Sequence, residues 1–173
     1  IQGPGTLRLE AGDYQANGLR IDGPLQLTGV PGRTRIVADD GNGCLVIVGA
    51  REVALSGLTF SSRDVPPTEE FSLVAVRESR VSIEDCRFED SPGSGLRLEG
   101  SGGRVSHCDF TRIEQTALFA RDSAGLEITG NTVSDIGNNG IQVWTSEPAE
   151  NGTLIGGNRI RGVAARTGGT GQN

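Results

Sequence analysis

A six-residue phrase recurs five times in this chain of 173 residues. Each copy has an aliphatic residue, two further positions, a Leu, Cys or Asn, one more position and a large apolar side chain. The copies span 55–60, 83–88, 105–110, 128–133 and 155–160, and their fourth residues are Leu58, Cys86, Cys108, Asn131 and Asn158. These fourth residues lie 28, 22, 23 and 27 positions apart. A repeat of this length, made of short alternating segments and turns, is typical of a solenoid.

Alternating apolar residues precede each phrase and predict a first strand for every coil, since period-2 residues point into one core. The predicted inward pairs are Val46 and Val48, Val74 and Val76, Leu96 and Leu98, Leu118 and Ala120, and Ile141 and Val143. The phrase itself supplies two further strands around a turn. The six-residue period of a left-handed hexapeptide solenoid is absent. We therefore predict an all-β fold, a right-handed parallel β-helix of about seven coils.

One domain is predicted over residues 1–173, with looser opening coils at 1–43 and regular coils at 44–173. Longer connections at 63–71 and 145–152 flank first strands, and we expect both to rise beside the first-strand face. Such loops often carry function, although their Pro, Glu and Ser content also suits plain surface turns. The tail 168–173 lacks a polar cap, so the solenoid is expected to be truncated at its C-terminus.

Charge and composition exclude several classes of function. The net charge of −6 argues against a nucleic-acid surface, which normally needs a basic footprint. No apolar run approaches the roughly 18 residues of a membrane span. The glycines fall in turns between strands, so a phosphate-binding loop would have no helix to use, and no cofactor is predicted.

Three segments of the chain, 117–126, 130–144 and 168–173, resemble the twin-arginine-translocated repeat proteins of Gram-negative bacteria. That family lies within the pectin-lyase-like β-helix superfamily, whose first coil resembles residues 9–14. The resemblance implies export to the periplasm and work on polysaccharides, as in lyases, hydrolases and mannuronate epimerases. It carries over no catalytic residues, and the Asp-Pro-His-Asp signature of the epimerases is absent here.

The resemblance also implies a glycan groove on the outward side of the first strands. By alternation, one outward column holds Ile47, Ala75, Arg97, Phe119 and Gln142, and the next holds Gly49, Arg77, Glu99, Arg121 and Trp144. Arginine forks pair with uronate carboxylates and aromatic faces stack on sugar rings. The predicted substrate-binding residues are Arg77, Arg97, Arg121, Phe119, Gln142 and Trp144. Glu99 is the nearest candidate for acid–base catalysis, and the alternative is a surface ion-pair ladder of little energetic value.

The turn inside the recurring phrase raises separate questions. His107, the only histidine, is predicted to lie in this turn and to face away from the groove, which favours a surface role over catalysis. Cys86 and Cys108 occupy equivalent inward positions in adjacent coils. Their spacing permits a disulfide, but their parallel Cβ vectors favour two buried thiols. In later coils, Asn131 and Asn158 predict a ladder of side-chain amides.

Metal binding is not predicted, because the chain has no calcium-binding loop or clustered ligand set. The stacked carboxylates Asp85 and Asp109 flank the same turn, so an inter-coil calcium ion stays open as an alternative. Asp90 and Asp135 are equivalent too, but Arg112 separates them.

The leading hypothesis is a periplasmic or exported protein that binds or acts on an acidic, uronate-containing polysaccharide through its first-strand face. If it is an enzyme, a polysaccharide lyase or uronate epimerase is expected. The rival is a non-catalytic structural or protein-interaction scaffold, favoured by the lack of a groove histidine. Exposed strand edges at the end of the stack also predict end-to-end self-association.

Overall fold

The computed structural model describes residues 5–68, 70–148 and 150–166, which form strands and turns without a helix. The strands are β1 (Gly5–Arg8), β2 (Gly12–Gln15), β3 (Leu19–Ile21), β4 (Leu25–Thr28), β5 (Thr34–Ala38), β6 (Leu45–Val48), β7 (Val53–Ser56), β8 (Thr59–Ser62), β9 (Ser72–Arg77), β10 (Arg80–Glu84), β11 (Arg87–Ser91), β12 (Ser94–Glu99), β13 (Gly102–Ser106), β14 (Asp109–Ile113), β15 (Thr116–Arg121), β16 (Leu126–Thr129), β17 (Thr132–Ile136), β18 (Asn139–Trp144), β19 (Leu154–Gly156) and β20 (Arg159–Val163).

Three sheets run the length of the stack. The first-strand sheet contains β3, β6, β9, β12, β15 and β18. The second-strand sheet contains β1, β4, β7, β10, β13, β16 and β19, and the third-strand sheet contains β2, β5, β8, β11, β14, β17 and β20. Each strand pairs in parallel with its equivalent in the next coil. The predicted parallel β-helix of about seven coils is confirmed.

Equivalent side chains stack on one another through the core. Phe60, Phe88 and Phe110, which end three copies of the recurring phrase, are fully buried. Their ring centroids lie 5.2 and 4.7 Å apart in successive coils. The stacking is possible because the spacing between strands is close to the distance at which aromatic rings stack. The register continues the column through Val133 and Ile160.

The turns after β16 and β19 confirm the predicted amide ladder. The Oδ1 of Asn131 accepts a hydrogen bond from the backbone N–H of Cys108 at 2.9 Å, and its Nδ2 donates to the carbonyl oxygen of Val105 at 3.0 Å. Asn158 repeats the arrangement, since its Oδ1 accepts from the N–H of Asn131 at 2.9 Å. Cys86 and Cys108 are buried and unbridged, as their parallel Cβ vectors favoured. Burial raises the pKa of Cys86 to about 12.

A second ladder, of serine hydroxyls, was not predicted. Ser79, Ser101 and Ser123 are buried just after the first strands of three successive coils. The backbone N–H of Ser79 donates to the Oγ of Ser101 at 3.2 Å, and the N–H of Ser101 donates to Ser123 at 3.1 Å. The N–H of Ala50 starts the series by donating to Ser79 at 3.0 Å. The spacing of 22 residues between these serines was the available signal.

The predicted orientation of β6 is wrong by one residue. Leu45 and Ile47 face the core, whereas Val46 and Val48 face outward and are half-buried. Parallel pairing with β9 places Val46 beside Ala75 and Val48 beside Arg77. Ile47 and Gly49 therefore do not belong to the outward columns. Four apolar residues in succession carry no alternation, so the sequence could not tell which pair faces inward.

The opening coils contain strands where alternation predicted them, at β1, β3, β4 and β5, together with β2, which the sequence pattern did not identify. The predicted absence of a cap concerns residues 168–173, which lie outside the described residues.

Candidate functional site

The first-strand face presents two outward columns, one residue per coil. The first column holds Val46, Ala75, Arg97, Phe119 and Gln142, and the second holds Val48, Arg77, Glu99, Arg121 and Trp144. All of the predicted binding residues and Glu99 thus lie on one face, within four consecutive coils. Period-2 alternation places them there, because the residues between them face the core.

Glu99 lies between two arginines. Its Oε2 is 3.3 Å from the Nε of Arg77, and its Oε1 is 2.9 Å from the Nε of Arg97. The alternative of a surface ion-pair ladder through Arg77, Glu99 and Arg121 is present only in part, since Arg121 pairs with Asp122 at 3.5 Å. Both carboxylate oxygens of Glu99 have a guanidinium partner, so acid–base work would require a ligand to displace one of them.

Each aromatic side chain on this face lies under an arginine of the preceding coil. The Cζ of Arg97 is 5.1 Å from the ring centroid of Phe119, and the Cζ of Arg121 is 4.9 Å from that of Trp144. These are cation–π distances. The contacts hold the guanidinium groups over the face, and they cover one ring surface that sugar stacking would need.

A cavity of about 620 Å³ lies over the part of the first-strand face that β6, β9 and β12 form. Its floor is formed by outward-facing residues of β6, β9 and β12, namely Val46, Ala75, Arg77, Arg97 and Glu99. Its rim comes from turns and from one longer connection, and comprises Asn17, Gly18, Gly41, Asn42, Thr68, Glu70, Phe71 and Ser72. The volume suits a small ligand or part of a chain. The connection 63–71 thus lies beside the first-strand face, as predicted.

The rim asparagines are held by carboxylates. The Nδ2 of Asn17 donates to Asp39 at 2.7 Å, and the Nε2 of Gln15 donates to the same carboxylate at 2.6 Å. These two hydrogen bonds, that from Asn17 first, lower the pKa of Asp39. The Nδ2 of Asn42 donates to Asp40 at 2.8 Å. Sequence reasoning missed these rim residues, because they belong to turns of the opening coils rather than to the first strands.

The remaining predicted binding residues lie outside the cavity, on the later strands β15 and β18. Phe119, Arg121, Gln142 and Trp144 continue the face, but none of them lines the cavity. Trp144 is 45% exposed. The predicted groove is therefore divided into a part over β6, β9 and β12, where Arg77, Arg97 and Glu99 line the cavity, and a part over β15 and β18, which lies outside it.

The second long connection, 145–152, follows β18 and so lies at the edge of the first-strand sheet opposite to 63–71, which precedes β9. The backbone N–H and hydroxyl of Ser146 donate to Asp122 at 2.6 and 2.8 Å. Both bonds, that from the N–H first, lower the pKa of Asp122. None of the described residues of this connection lines the cavity. Only 63–71 of the two connections shapes the candidate site.

His107 lies in the exposed turn between the second and third strands, in a left-handed conformation with φ of +53°. It is remote from the first-strand face, as predicted. Asp109, which begins β14 after this turn, pairs with Arg87 at 3.1 Å. Arg112 pairs with Asp90 at 2.6 Å, and Asp135 pairs instead with Arg166 at 2.7 Å.

The described residues contain neither a metal cluster nor a membrane-spanning helix. Among them, no group of three or more His, Cys, Asp or Glu side chains comes together in a way that would hold a metal ion. Within the same part of the chain, no helix has the length and apolar character needed to cross a membrane. The inter-coil calcium ion stays an untested alternative.

Comparison with known proteins identifies the family. The family described as "Right handed beta helix region" matches residues 33–168, more than three quarters of the chain. The chain belongs to the right-handed β-helix family. Its handedness thus agrees with the prediction. No curated protein matches the chain.

One solved structure is similar over most of this β-helix protein. It is titled "Structure of PL6 family alginate lyase AlyGC", and it superposes with a TM-score of 0.51 at 12% sequence identity. The match covers 90% of this chain and 36% of that one, so the chain spans about a third of the length of the lyase. At this identity the likeness shows the fold alone.

Proposed function

We propose that this β-helix protein binds an acidic polysaccharide at the first-strand face, with the cavity of about 620 Å³ as the principal site. The observation that carries the proposal is the pair of arginines on the cavity floor. Arg77 and Arg97 both approach Glu99 through Nε, at 3.3 and 2.9 Å. Their Nη donors form the fork that pairs with a carboxylate, and one uronate group could bridge them.

The rim of the cavity supports a ligand rich in hydroxyl groups. Asn17, Asn42 and Thr68 offer amide and hydroxyl groups, and the carboxylate of Glu70 can accept hydrogen bonds from sugar hydroxyls. A ligand of high charge density would be repelled by Glu70, by Glu99 and by the net charge of −6. One carboxylate per sugar unit is a lower charge density than that of clustered phosphates, and it matches this mixture better.

The solved structure with a similar fold suggests a class of ligand for this chain. The similar solved structure is an alginate lyase by its title, and polysaccharide binding on this chain is part of the proposal. Lyase or epimerase chemistry would use Arg77 and Arg97 to stabilise the charge that develops beside the uronate carboxylate after proton abstraction. Glu99 would serve as the base only once the substrate carboxylate has taken over its arginines. Export to the periplasm and membership of the twin-arginine-translocated repeat proteins belong to the same proposal.

A non-catalytic scaffold is the second candidate. The faces of Phe119 and Trp144 are each covered by an arginine, and Glu99 is fully ion-paired. Such a surface is also what a stable, inert exterior would present. Self-association through the end of the stack belongs to this candidate, because Leu154 and Ile155 of β19 are 57% and 50% exposed.

The deciding experiment is affinity electrophoresis of the whole chain in gels containing uronate polymers or neutral polysaccharides. Retardation by a uronate polymer and its loss in Arg77→Gln/Arg97→Gln are expected. The matched control is Arg159→Gln/Arg161→Gln, which removes the same charge from exposed positions of β20. Arg121→Gln should retain binding if the site is the cavity rather than the part of the first-strand face that β15 and β18 form.

Absence of retardation in every gel would contradict the proposal and favour the scaffold. Equal losses in the Arg77/Arg97 variant and in the Arg159/Arg161 control would show that only net charge matters. Circular dichroism spectra of all variants would establish that the fold is retained.

A further inference from the structure

The second-strand face contains a larger cavity, of about 830 Å³, which the proposed function does not use. It lies on the outer surface of the second-strand sheet, away from the first-strand columns. Its floor is a column of outward residues, Thr6, Gln26, Ala54 and Ser82, in four successive coils. Ala54 is the smallest of them and leaves a depression between Gln26 and Ser82.

One wall of this cavity carries two arginines without an ion-pair partner. Arg51 lies in the turn before β7, and Arg80 begins β10 in the next coil. Neither is within 4.0 Å of an acidic group in the part of the chain that the structure describes. The Nη1 of Arg80 lies over the next coil, 3.5 Å from where a Cβ on Gly102 would be. Most arginines elsewhere on the stack have partners, as Arg112 does with Asp90 at 2.6 Å.

The far end of the cavity is closed by a third arginine. Arg104 pairs with Glu127 at 2.8 Å and with Glu84 at 3.7 Å, so its charge is balanced within the protein. Arg51 and Arg80 are therefore the two cations that remain for a ligand. The two arginines lie in adjacent coils but not opposite one another, since the pairing of Val81 with Val53 places Glu52 beside Arg80. The guanidinium of Arg80 extends toward Gly102 in the following coil, away from Arg51. The two cations therefore suit two carboxylates on neighbouring units of a chain.

The remaining lining indicates a hydroxyl-rich ligand. Gln26, Ser82 and Thr6 supply neutral donors and acceptors, and the carboxylate of Glu52, which also lines the cavity without an ion pair in the described structure, accepts hydrogen bonds. Glu52 and Glu127 disfavour polyphosphates and nucleic acid, in which negative charges are dense. A sugar chain with one carboxylate per unit has a lower charge density than a polyphosphate, and it matches two free cations beside free hydrogen-bonding groups.

We propose that the second-strand cavity is a separate binding site for an acidic oligosaccharide, in which Arg51 and Arg80 each hold a carboxylate of the chain that lies along the floor at Ala54. The site is independent of the first-strand cavity, since it lies on a different sheet and shares no lining residue with it. Two such sites would let one protein bind two stretches of polymer, or the same polymer more tightly through combined contacts.

The test is isothermal titration calorimetry of the whole chain with a purified tetrasaccharide of uronate units. A short ligand avoids avidity, so the stoichiometry reports the number of sites. The variant Arg51→Gln/Arg80→Gln is expected to weaken the second-strand site about tenfold or more, as expected for loss of charge-assisted hydrogen bonds. Ala54→Glu should abolish binding at this site, because it fills the depression and adds a like charge. Arg159→Gln/Arg161→Gln again controls for net charge.

Combination with Arg77→Gln/Arg97→Gln separates this inference from the proposed function. If the tetrasaccharide still binds to the Arg77/Arg97 variant, and that binding disappears on adding Arg51→Gln/Arg80→Gln, the second site is established even if the first-strand proposal fails. If Arg51→Gln/Arg80→Gln and Ala54→Glu both leave binding unchanged, the second site is refuted whatever happens at the first.

Two further ligands test the chemistry of the site. A neutral tetrasaccharide of the same length is expected not to bind, and equal binding of it would overturn the role of the arginines. Inorganic phosphate at the same concentration is expected to bind at least tenfold more weakly than the tetrasaccharide. Equal binding of phosphate would overturn the assignment to a sugar chain and leave a simple oxyanion site.

Discussion

The interior of this β-helix and its first-strand face are made by the same strands, yet the type of side chain repeats from coil to coil in the interior and varies on the face. In β12, Leu96 and Leu98 are fully buried and stack on apolar equivalents in both neighbouring coils. Between them, Arg97 lies beside Ala75 in one neighbour and Phe119 in the other. The interior repeats its chemistry because each side chain packs against its own equivalent one strand spacing away. The exterior is free to vary, and variation there is what can create a specific site.

Among the substitutions that test this comparison, we expect the largest effect on stability at the aromatic stack of Phe60, Phe88 and Phe110. Phe88→Ala removes a fully buried ring between Phe60 and Phe110. We expect the free energy of unfolding to fall by about 3–5 kcal/mol, measured by urea denaturation. Phe88→Leu, which keeps most of the apolar volume, should cost clearly less. A loss below about 1 kcal/mol for the alanine variant would mean that interior repetition is not what stabilises the coils.

A smaller interior effect is expected at the amide ladder. Asn131→Ala would leave the N–H of Cys108 and the carbonyl of Val105 without their partner in a site that is 1% exposed. The expected loss in the free energy of unfolding is about 2–3 kcal/mol, since buried polar groups would be unpaired. Asn131→Cys introduces the side chain that two neighbouring coils use in this slot and should cost less. Equal costs would show that the hydrogen bonds of the amide, rather than the size of the side chain, stabilise this position of the ladder.

On the outer face, the effect on stability should be slight and the effect on binding clear. Glu99→Gln removes the shared partner of Arg77 and Arg97. The free energy of unfolding should change by less than about 1 kcal/mol, as for other exposed ion pairs. Affinity for a uronate polymer should rise severalfold in gel retardation, because the protein carboxylate no longer competes with that of the ligand. A weaker retardation would show that Glu99 contacts the ligand directly.

The smallest expected effect is local and depends on pH. Asp122 accepts two hydrogen bonds from Ser146, and its pKa is lowered by them. A carboxyl whose pKa is lower in the folded state stabilises that state above its ordinary pKa of about 3.8 and ceases to do so as pH falls through the lowered value. The amide NMR signal of Ser146 should therefore shift only in the acid range.

Asp122→Asn is the control for that titration. It should abolish the acid shift of the Ser146 amide and lower the urea midpoint at neutral pH only slightly, because the site is exposed. A shift that persists in this variant would assign the titration to another carboxyl.

The sequence predicted the repeating interior well and the turns unevenly. The recurring phrase located the second and third strands and the amide ladder, because its residues repeat at equivalent positions of successive coils. The stack of Phe60, Phe88 and Phe110 was not predicted. The orientation of β6 was wrong, because Leu45, Val46, Ile47 and Val48 are all apolar. The serine ladder was missed, since an isolated serine in a turn has the same local pattern whether it is buried or exposed.

The candidate site was predictable only in part. Alternation along single strands was enough to place Arg77, Arg97 and Glu99 on one face. It could not show that Glu99 pairs with Arg97 rather than Arg121, because rotamers decide that contact. The rim residues Asn17 and Glu70 come from distant turns, and the second-strand cavity depends on small side chains meeting across four coils.

By itself, the sequence determined that this chain is a parallel β-helix and which residues occupy equivalent positions in the recurring phrase of successive coils. Those features follow from a period repeated along the chain, and a period is a local property of sequence. The tertiary structure alone decided which arginines are paired and which are free, where the turns rise to enclose a cavity, and that two cavities lie on different sheets. These depend on distances between residues of different coils, which the winding of the stack sets and no local pattern records.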